Sequence, residues 1–408
     1  MEKHFICFFF QGDGDHRGLH RVARRQRQMC IRDRPDAQAL QVEADFEFLL
    51  TFLPPGWEAK AKELGALRRC RKIKNARVLL RLLLLHLGEG CSLRETAVRA
   101  KKGHLVAVSD VAIMDRLRCS SEWFVWMSTE LMSQWVAKQP QQVFNGAWNV
   151  RVIDATQVNE PGKTGSSWRI HYSVGLPSLR CSEVYVTEAA GPGTGETFTR
   201  FTIQPGDLLL GDRVYATSSG ISHVAQGGGD VLVRFGWSNL PLWVSEDKPF
   251  DLFKHLRKLR GTAVGDWPVK VQSGDALIEG RVCAIKRSRQ ATEAAQDRAR
   301  RTAQKHGTKI QPETLEAAGY VLIFTTVSAQ AMTATQALEY YRGRWQVELV
   351  FKRLKSILEL GHLHKRDHQS ARAWLHGKLL VAFLLEALLT YGEAVFPWGY
   401  PLCQAQRP

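Results

Sequence analysis

Tyr341-Arg342-Gly343-Arg344-Trp345-Gln346-Val347-Glu348-Leu349-Val350-Phe351-Lys352-Arg353-Leu354-Lys355 is the stretch on which the reading of this chain turns. Leu338, Trp345, Val347, Leu349, Val350, Phe351 and Leu354 recur on several sides of one predicted helix over about 335–358, as in a helix packed inside a domain. At about 100° per residue, Tyr341, Arg344, Glu348 and Lys355 fall at roughly 0°, 300°, 340° and 320°, a sector about 60° wide. An Arg344–Glu348 pair on a solvated surface contributes only about 0.2–0.5 kcal/mol. That accounts for neither Tyr341 nor Lys355. An acid among so many apolar neighbours is expected to be buried and to need a partner.

Two more acids follow apolar runs, Val150-Arg151-Val152-Ile153-Asp154 and Leu208-Leu209-Leu210-Gly211-Asp212. Groups at the ends of strands in an α/β sheet project into the crevice where ligands bind. Either Asp alone is equally a turn or helix-cap residue. With Glu348 they make three carboxylates from two strands and a helix, a hard oxygen site suited to Mg²⁺. Two such ions about 3.5–4 Å apart activate a water or a 3′-hydroxyl and stabilise the leaving oxygen of a phosphodiester. Arg344 and Lys355 would then hold backbone phosphates, and Tyr341 would donate a hydrogen bond to one.

The formal net charge is +16 and the pI is near 9.6, values that fit a polyphosphate partner better than a small neutral metabolite. The longest apolar run, Val78 to Leu87, is broken by Arg81 and His86 and is too short to span a bilayer, so no membrane partner is expected. The cysteines Cys7, Cys30, Cys70, Cys91, Cys119, Cys181, Cys283 and Cys403 are scattered, with no C-x-x-C pair, and read as reduced thiols of a cytoplasmic protein. Residues 24–34, RRQRQMCIRDR, are one open frame of a tagmentation sequencing adapter. About residues 12–34 are therefore expected to be adapter-derived and are set apart from fold reasoning. The segment carries seven Arg and three Asp; without it the charge falls from +16 to +12, still strongly basic.

Residues 35–145 read as helical, with a capping-box pattern at Ser92-Leu93-Arg94-Glu95. A second short helix follows Lys101-Lys102-Gly103, from Ser109 to Leu117. The pair reads either as a helix-turn-helix or as an ordinary helical subdomain with a solvated basic face. Strands are predicted at 149–154, 169–176, 182–187 and 207–212, bounded by Gly, Pro and Ser clusters. After Gly227-Gly228-Gly229 come further strands near 231–235, 268–271 and 276–286, a basic helix at 291–306 and a strand at 320–326. The basic stretch from Lys286, with Arg298 and Arg301 on its helix, tracks DNA backbone or forms a solvated face.

Tyr341-x2-Arg344-x3-Glu348-x6-Lys355 resembles, spacing included, the Y-R-E-K pattern of bacterial insertion-sequence DDE transposases of the "insertion sequence four" type. Ile153-Asp154-Ala155-Thr156 is similar to that family's first-acid motif, and Gly211-Asp212-Arg213-Val214-Tyr215-Ala216 to its second; the likeness runs from about Pro55 to Leu389. The resemblance implies an α/β fold: a ribonuclease H-like core with a mainly β insertion between the second Asp and the Glu, plus an all-α N-terminal domain. It implies catalytic and metal-holding roles for Asp154, Asp212 and Glu348 with two Mg²⁺ ions, for which Mn²⁺ substitutes. It further implies cut-and-paste transposition, with transposon-end inverted-repeat DNA and target DNA as partners and a homodimer in the synaptic complex. The expected division is a leader at 1–34, a helical DNA-binding domain at 35–145, core at 146–226 and 320–395, the insertion at 227–319, and a tail at 396–408. In related enzymes an aromatic residue before the Y-R-E-K helix stacks on a flipped base. Tyr320 has that position, unless it is simply a core residue, and Trp237, Trp243 and Trp267 compete for the role. An inactive DNA-binding remnant and a nuclease of the same fold remain as alternatives.

Overall fold

The computed structural model describes residues 35–68, 70–138, 148–159, 167–360, 363 and 367–395. The adapter-like segment and the tail at 396–408 lie outside them. The chain divides into two compact units, one of residues 1–138, 158–167 and 353–408, the other of residues 139–157 and 168–352.

The first unit opens with α1 (Pro35–Leu50), α2 (Trp57–Glu63), α3 (Ala76–Gly88), α4 (Leu93–Lys102), α5 (Asp110–Cys119) and α6 (Ser121–Lys138). Asn75 starts α3 by accepting a hydrogen bond from the Val78 amide at 2.8 Å. The helix then buries Leu79, Leu80, Leu82, Leu83, Leu84 and Leu87. Ser92 caps α4 through the Glu95 amide at 3.2 Å. The Glu95 carboxylate does not reach back as a capping box requires; it accepts from Arg99 one turn on, at 2.8 Å, a charge-assisted bond that competes for it.

The second unit contains β1 (Asn149–Asn159), β2 (Ser167–Gly175), β3 (Arg180–Glu188), β4 (Asp207–Gly211), α7 (Ser218–Gln226), β5 (Asp230–Arg234), β6 (Trp243–Ser245) and β7 (Lys248–Pro249). It continues through α8 (Leu252–Leu256), β8 (Val264–Ser273), β9 (Ala276–Lys286), α9 (Arg289–Lys305), α10 (Pro312–Ala317), β10 (Tyr320–Thr325), α11 (Ala334–Arg342) and the first part of α12 (Gln346–Ile357), whose residues from Arg353 on belong to the first unit. The strands join one sheet in the order β3-β2-β1-β4-β5-β10-β9-β8-β6-β7. β1, β4 and β5 run parallel; the strands from β5 onward through β10, β9 and β8 alternate in direction. The architecture is thus mixed α/β, with a large sheet and an N-terminal helical region. β5, grouped with the insertion on sequence, hydrogen-bonds to β4 as the next parallel strand. The β-rich stretch that follows extends the same sheet through β10 instead of forming its own.

Leu208, Leu209, Leu210, Val231, Leu232 and Val233 are fully buried, the continuous apolar run of strands covered on both faces. In the β1–β4 pairing Val152 lies opposite Leu210. Asp154 comes two residues after Val152 and Asp212 two after Leu210, and the charge of Asp212 acts on Asp154. Arg151 holds this register. Its buried guanidinium donates to Asp207 at 2.8 Å, Glu183 at 3.0 Å, Ser173 at 3.0 Å and the Thr202 carbonyl at 2.8 Å, so one side chain ties β1 to β2, β3 and β4.

The helical unit is completed by α13 (His368–Val395). Its residues His368–Gly392 are long and apolar enough to cross a membrane by length and composition, which Val78 to Leu87 was not, and 72% of the apolar span is buried within the protein. Trp374, Leu375, Leu379, Leu380 and Phe383 are inside, packed with α3, α5 and α6. A Cβ at Gly377 would stand 2.5 Å from a Leu87 methyl and 3.1 Å from the Phe124 ring. Glycine there lets the helices approach, and the segment behaves as a core helix.

Candidate active site

Asp154 lies inside β1, which runs on to Asn159, and not at the strand's end as its sequence suggested. What ends there is the pairing with β4, whose last residue is Gly211. Asp212 caps the short 3₁₀ turn Arg213–Tyr215, accepting from the Val214 amide at 2.9 Å; it is a cap as well as a candidate ligand. A Cβ on Gly211 would come within 2.7 Å of the Phe198 ring and 2.8 Å of Tyr215 Cβ, so glycine lets both rings pack directly under the acid. Burial, helped by the charges of Asp212 and Glu196, pushes the Asp154 carboxyl up to about 6 against the opposing Ala155 amide and Arg344.

The single helix predicted over 335–358 is in three pieces: α11, a 3₁₀ turn at Gly343–Trp345, and α12. Glycine at 343 weakens the α-helix, and a 3₁₀ turn advances about 120° per residue instead of 100°, which shifts Tyr341 from its wheel position relative to Glu348. A complete capping box does form in this region, between Thr333 and Gln336. Arg344 occupies the 3₁₀ turn. One of its nitrogens lies 3.4 Å from Asp154 and another donates to Glu348 at 2.7 Å. Burial works against its charge, but the hydrogen bond to Glu348 and the fields of Tyr341, Asp154 and Glu348 hold the guanidinium above its ordinary value. Tyr341 hydrogen-bonds with Arg344, and burial pushes its hydroxyl up to about 12.

Glu348 is not the buried acid its neighbours suggested. Its side chain is 61% exposed, because Val347, Val350 and Phe351 turn inward on other sides of α12, Phe351 meeting Tyr172 edge to face. Lys355 is exposed in the last turn of α12, beyond the boundary of the unit that holds the acids. Among the described residues no three His, Cys, Asp or Glu side chains converge into a metal-holding group. Arg344 stands between Asp154 and Glu348 and pairs with both.

Two contributors escaped the sequence. Glu196, closing the glycine-rich run Gly191-Pro192-Gly193-Thr194-Gly195, is half-buried, pairs with Arg169 at 3.2 Å, and its charge acts on Asp154 and Asp212. An acid after three glycines was the available signal. Tyr215 is fully buried beside these acids, and its hydroxyl has no hydrogen-bond partner among the described residues.

Among the basic and aromatic candidates, Tyr320, Trp237 and Arg298 line one cavity of about 780 Å³. Arg301 is exposed on α9 outside that lining. Trp267 packs on Phe250 and His255 instead, and Trp243 sits in β6.

Residues 149–384 match the family described as the transposase DDE domain. The chain belongs to the DDE transposase family. This transposase is 30% identical over 342 residues to InsL of insertion sequence element IS186A in Escherichia coli strain K12, covering 82% of the present chain and 91% of InsL. The transposase of insertion sequence element IS421 from Escherichia coli is 30% identical over 344 residues, with the same coverage. That of IS231F from Bacillus thuringiensis subsp. israelensis is 23% identical over 300 residues, 64% of this chain and 61% of the relative. Asp154, Asp212 and Glu348 all fall within the matched family interval.

Proposed function

We propose that this transposase cuts DNA at the inverted-repeat ends of its insertion sequence and joins the freed 3′ ends to target DNA, with hydrolysis and strand transfer at one site formed by Asp154, Asp212 and Glu348. The observation that carries this is that Asp154, in β1, and Asp212, just past the adjacent parallel strand β4, are close enough for the charge of one to act on the other, while Arg344 links Asp154 to Glu348. The strand order β3-β2-β1-β4-β5 supports a ribonuclease H-like core in residues 146–226, with β5 added from the stretch grouped with the insertion on sequence, and in the strand and helices that follow residue 320. In this reading the residues after β5, to 319, are the insertion, the helical domain at 35–145 grips the element's ends, and two copies of the chain form the synaptic complex.

The donor set fits Mg²⁺. It offers carboxylate oxygens with no thiolate or imidazole, and the Asp154 carboxyl, raised mainly by burial and further by the charge of Asp212, is one whose charged form a cation favours. Two bound Mg²⁺ ions, or Mn²⁺, would make a water or 3′-hydroxyl more acidic and neutralise charge on the leaving oxygen. Asp154, Asp212 and Glu348 would hold them. Arg344, now paired with two of those acids, would be released to bind a backbone phosphate with its planar fork. Tyr341 would steady it and donate to a phosphate oxygen, and Lys355 would take a neighbouring phosphate.

The test is a cleavage and strand-transfer assay on the element's terminal DNA with Mg²⁺, comparing the wild type with Glu348→Gln. The wild type is expected to cut and join, and the variant to bind the same ends but cut at least about 100-fold more slowly. Binding without cutting by both proteins, in Mg²⁺ and in Mn²⁺, would identify an inactive end-binding remnant. Cutting without joining by the wild type would identify a nuclease.

A further inference from the structure

We propose that Glu196 is a fourth acid of the catalytic site, a positioning residue that, with the Tyr215 hydroxyl, receives the water shell of a divalent cation held by the aspartates; this rests on the transposase reading above. Two polar groups beside Asp154 and Asp212 lack partners. The Tyr215 side chain is fully buried, yet its hydroxyl has no hydrogen-bond partner among the described residues. Its surroundings are acidic, since the charges of Asp154, Glu196 and Asp212 all act on it. A buried hydroxyl is rarely left unbonded, so this one points to something that the protein itself does not supply. The Glu196 carboxylate, 20% exposed, likewise accepts no hydrogen bond among the described residues. Arg169 Nε approaches its Oε1 to 3.2 Å but is not aligned to donate. The pair is held by charge alone, and Oε2 is left for another donor.

The chain is built to hold Glu196 in this place. Arg169 donates to the Thr194 carbonyl at 2.7 Å and Arg200 to the Gly195 carbonyl at 3.3 Å, so two arginines clamp the glycine-rich run just before the acid. Thr197 then accepts from the Thr199 amide at 3.2 Å and opens the 3₁₀ turn Phe198–Arg200. Phe198 is the anchor. Its ring lies 5.1 Å from that of Tyr215 and fills the space that Gly211 leaves by having no Cβ. Glu196 is two residues from Phe198, and Asp212 is the residue after Gly211, so the packing of one ring brings the loop acid to the strand acids. The charge of Glu196 acts on Asp154, and that of Asp212 acts on Glu196. Each acid disfavours the charged form of the others, a cost that a bound cation offsets. Mg²⁺ keeps several of its waters when protein carboxylates bind it, and groups that bond to such an outer shell orient the ligands and tune affinity. Glu196 Oε2 accepts from one of these waters, and the Tyr215 hydroxyl donates to or accepts from another.

The experiment titrates Mn²⁺ into the full chain without DNA, following free Mn²⁺ by electron paramagnetic resonance, and records a melting curve of each variant in EDTA. Glu196→Gln keeps the size of the side chain and removes its charge. It is expected to weaken Mn²⁺ binding at least about tenfold. Its melting temperature in EDTA should stay close to that of the wild type, because the lost pair with Arg169 and the relieved repulsion oppose each other. Tyr215→Phe keeps the ring against Phe198 and is expected to weaken Mn²⁺ binding about threefold, with no loss of melting temperature. Glu196→Asp, which keeps the charge, should fall between the wild type and Glu196→Gln. Asp154→Asn calibrates the titration. If it abolishes Mn²⁺ binding while Glu196→Gln and Tyr215→Phe stay within about twofold of the wild type, the acid and the hydroxyl are structural, and the proposal fails with the transposase reading intact. A weaker affinity in Glu196→Gln that comes with a lower melting temperature in EDTA, and that Glu196→Asp does not restore, is a packing effect and also overturns it. Mn²⁺ binding that Asp154→Asn leaves unchanged would take the metal away from these acids, and the site of the transposase reading would fall together with Glu196.

Discussion

The acid edge and the pocket beside β10, lined by Arg213, Arg234, Arg287 and Arg298, both gather like charges in the sheet unit, but they are assembled and compensated differently. Asp154 and Asp212 come near each other because β1 and β4 are adjacent parallel strands and each acid follows the last paired residues by two positions. The arginines meet because β10 inserts between β5 and β9 and α9 folds back beside them. The acids carry an internal counter-charge, Arg344, which bridges Asp154 to Glu348. The pocket has none among the described residues. The acid site is partly neutralised from within, while the arginines keep their mutual repulsion.

The sharpest way to break this comparison is to remove what sets the register of the acids. Arg151→Leu removes the counter-charge of buried Asp207 and half-buried Glu183, which keep only neutral donors, and is expected to destabilise the fold by about 3–5 kcal/mol, read by urea denaturation. A loss under about 1 kcal/mol would mean that the register is fixed elsewhere.

Next in size is the cost of holding the Asp154 charge in its buried place, to which the charges of Asp212 and Glu196 add. The Asp154 carboxyl stands at about 6 in the folded chain against an ordinary 3.8. Between those values the folded state holds a proton that the unfolded state has released, so stability falls as pH rises through that window and stays lower above it. The groups facing it are Asp212 and Glu196, which add to the effect, and Arg344 and the Ala155 amide, which oppose it. In EDTA at pH 8, Asp154→Asn is expected to stabilise the protein by up to about 3 kcal/mol and to remove this fall in a calorimetric pH series. A melting temperature lower than wild type at pH 8 would show that the Arg344 pair outweighs the repulsion.

The smallest effect belongs to the pocket. Arg234→Gln is expected to raise stability without DNA by about 0.5–1 kcal/mol, read by urea denaturation. Loss of stability instead would mean that Arg234 is a structural residue.

Much of the local structure was legible. The strand Ala276–Lys286 and the basic helix before residue 306 were placed closely by alternation and by turn residues, and the three acids were singled out by their types and spacing. The exposure of Glu348 was misjudged because periodicity gives directions around a helix but not which directions other elements cover. The break at Gly343 was missed because a 3₁₀ turn leaves the apolar spacing nearly unchanged. Glu196 was passed over because a loop acid has no periodicity at all.

By itself the sequence determined the carboxylates, the apolar strands that carry them and the arginine, tyrosine and lysine spaced around Glu348. These are relations between near neighbours, fixed by covalent spacing and local burial. Only the tertiary structure decided that Arg344 bridges two of the acids, and that Arg213, Arg234, Arg287 and Arg298 share one cavity with Tyr320. Those meetings depend on which strands pair, and pairing between distant segments is settled by the burial of the whole sheet.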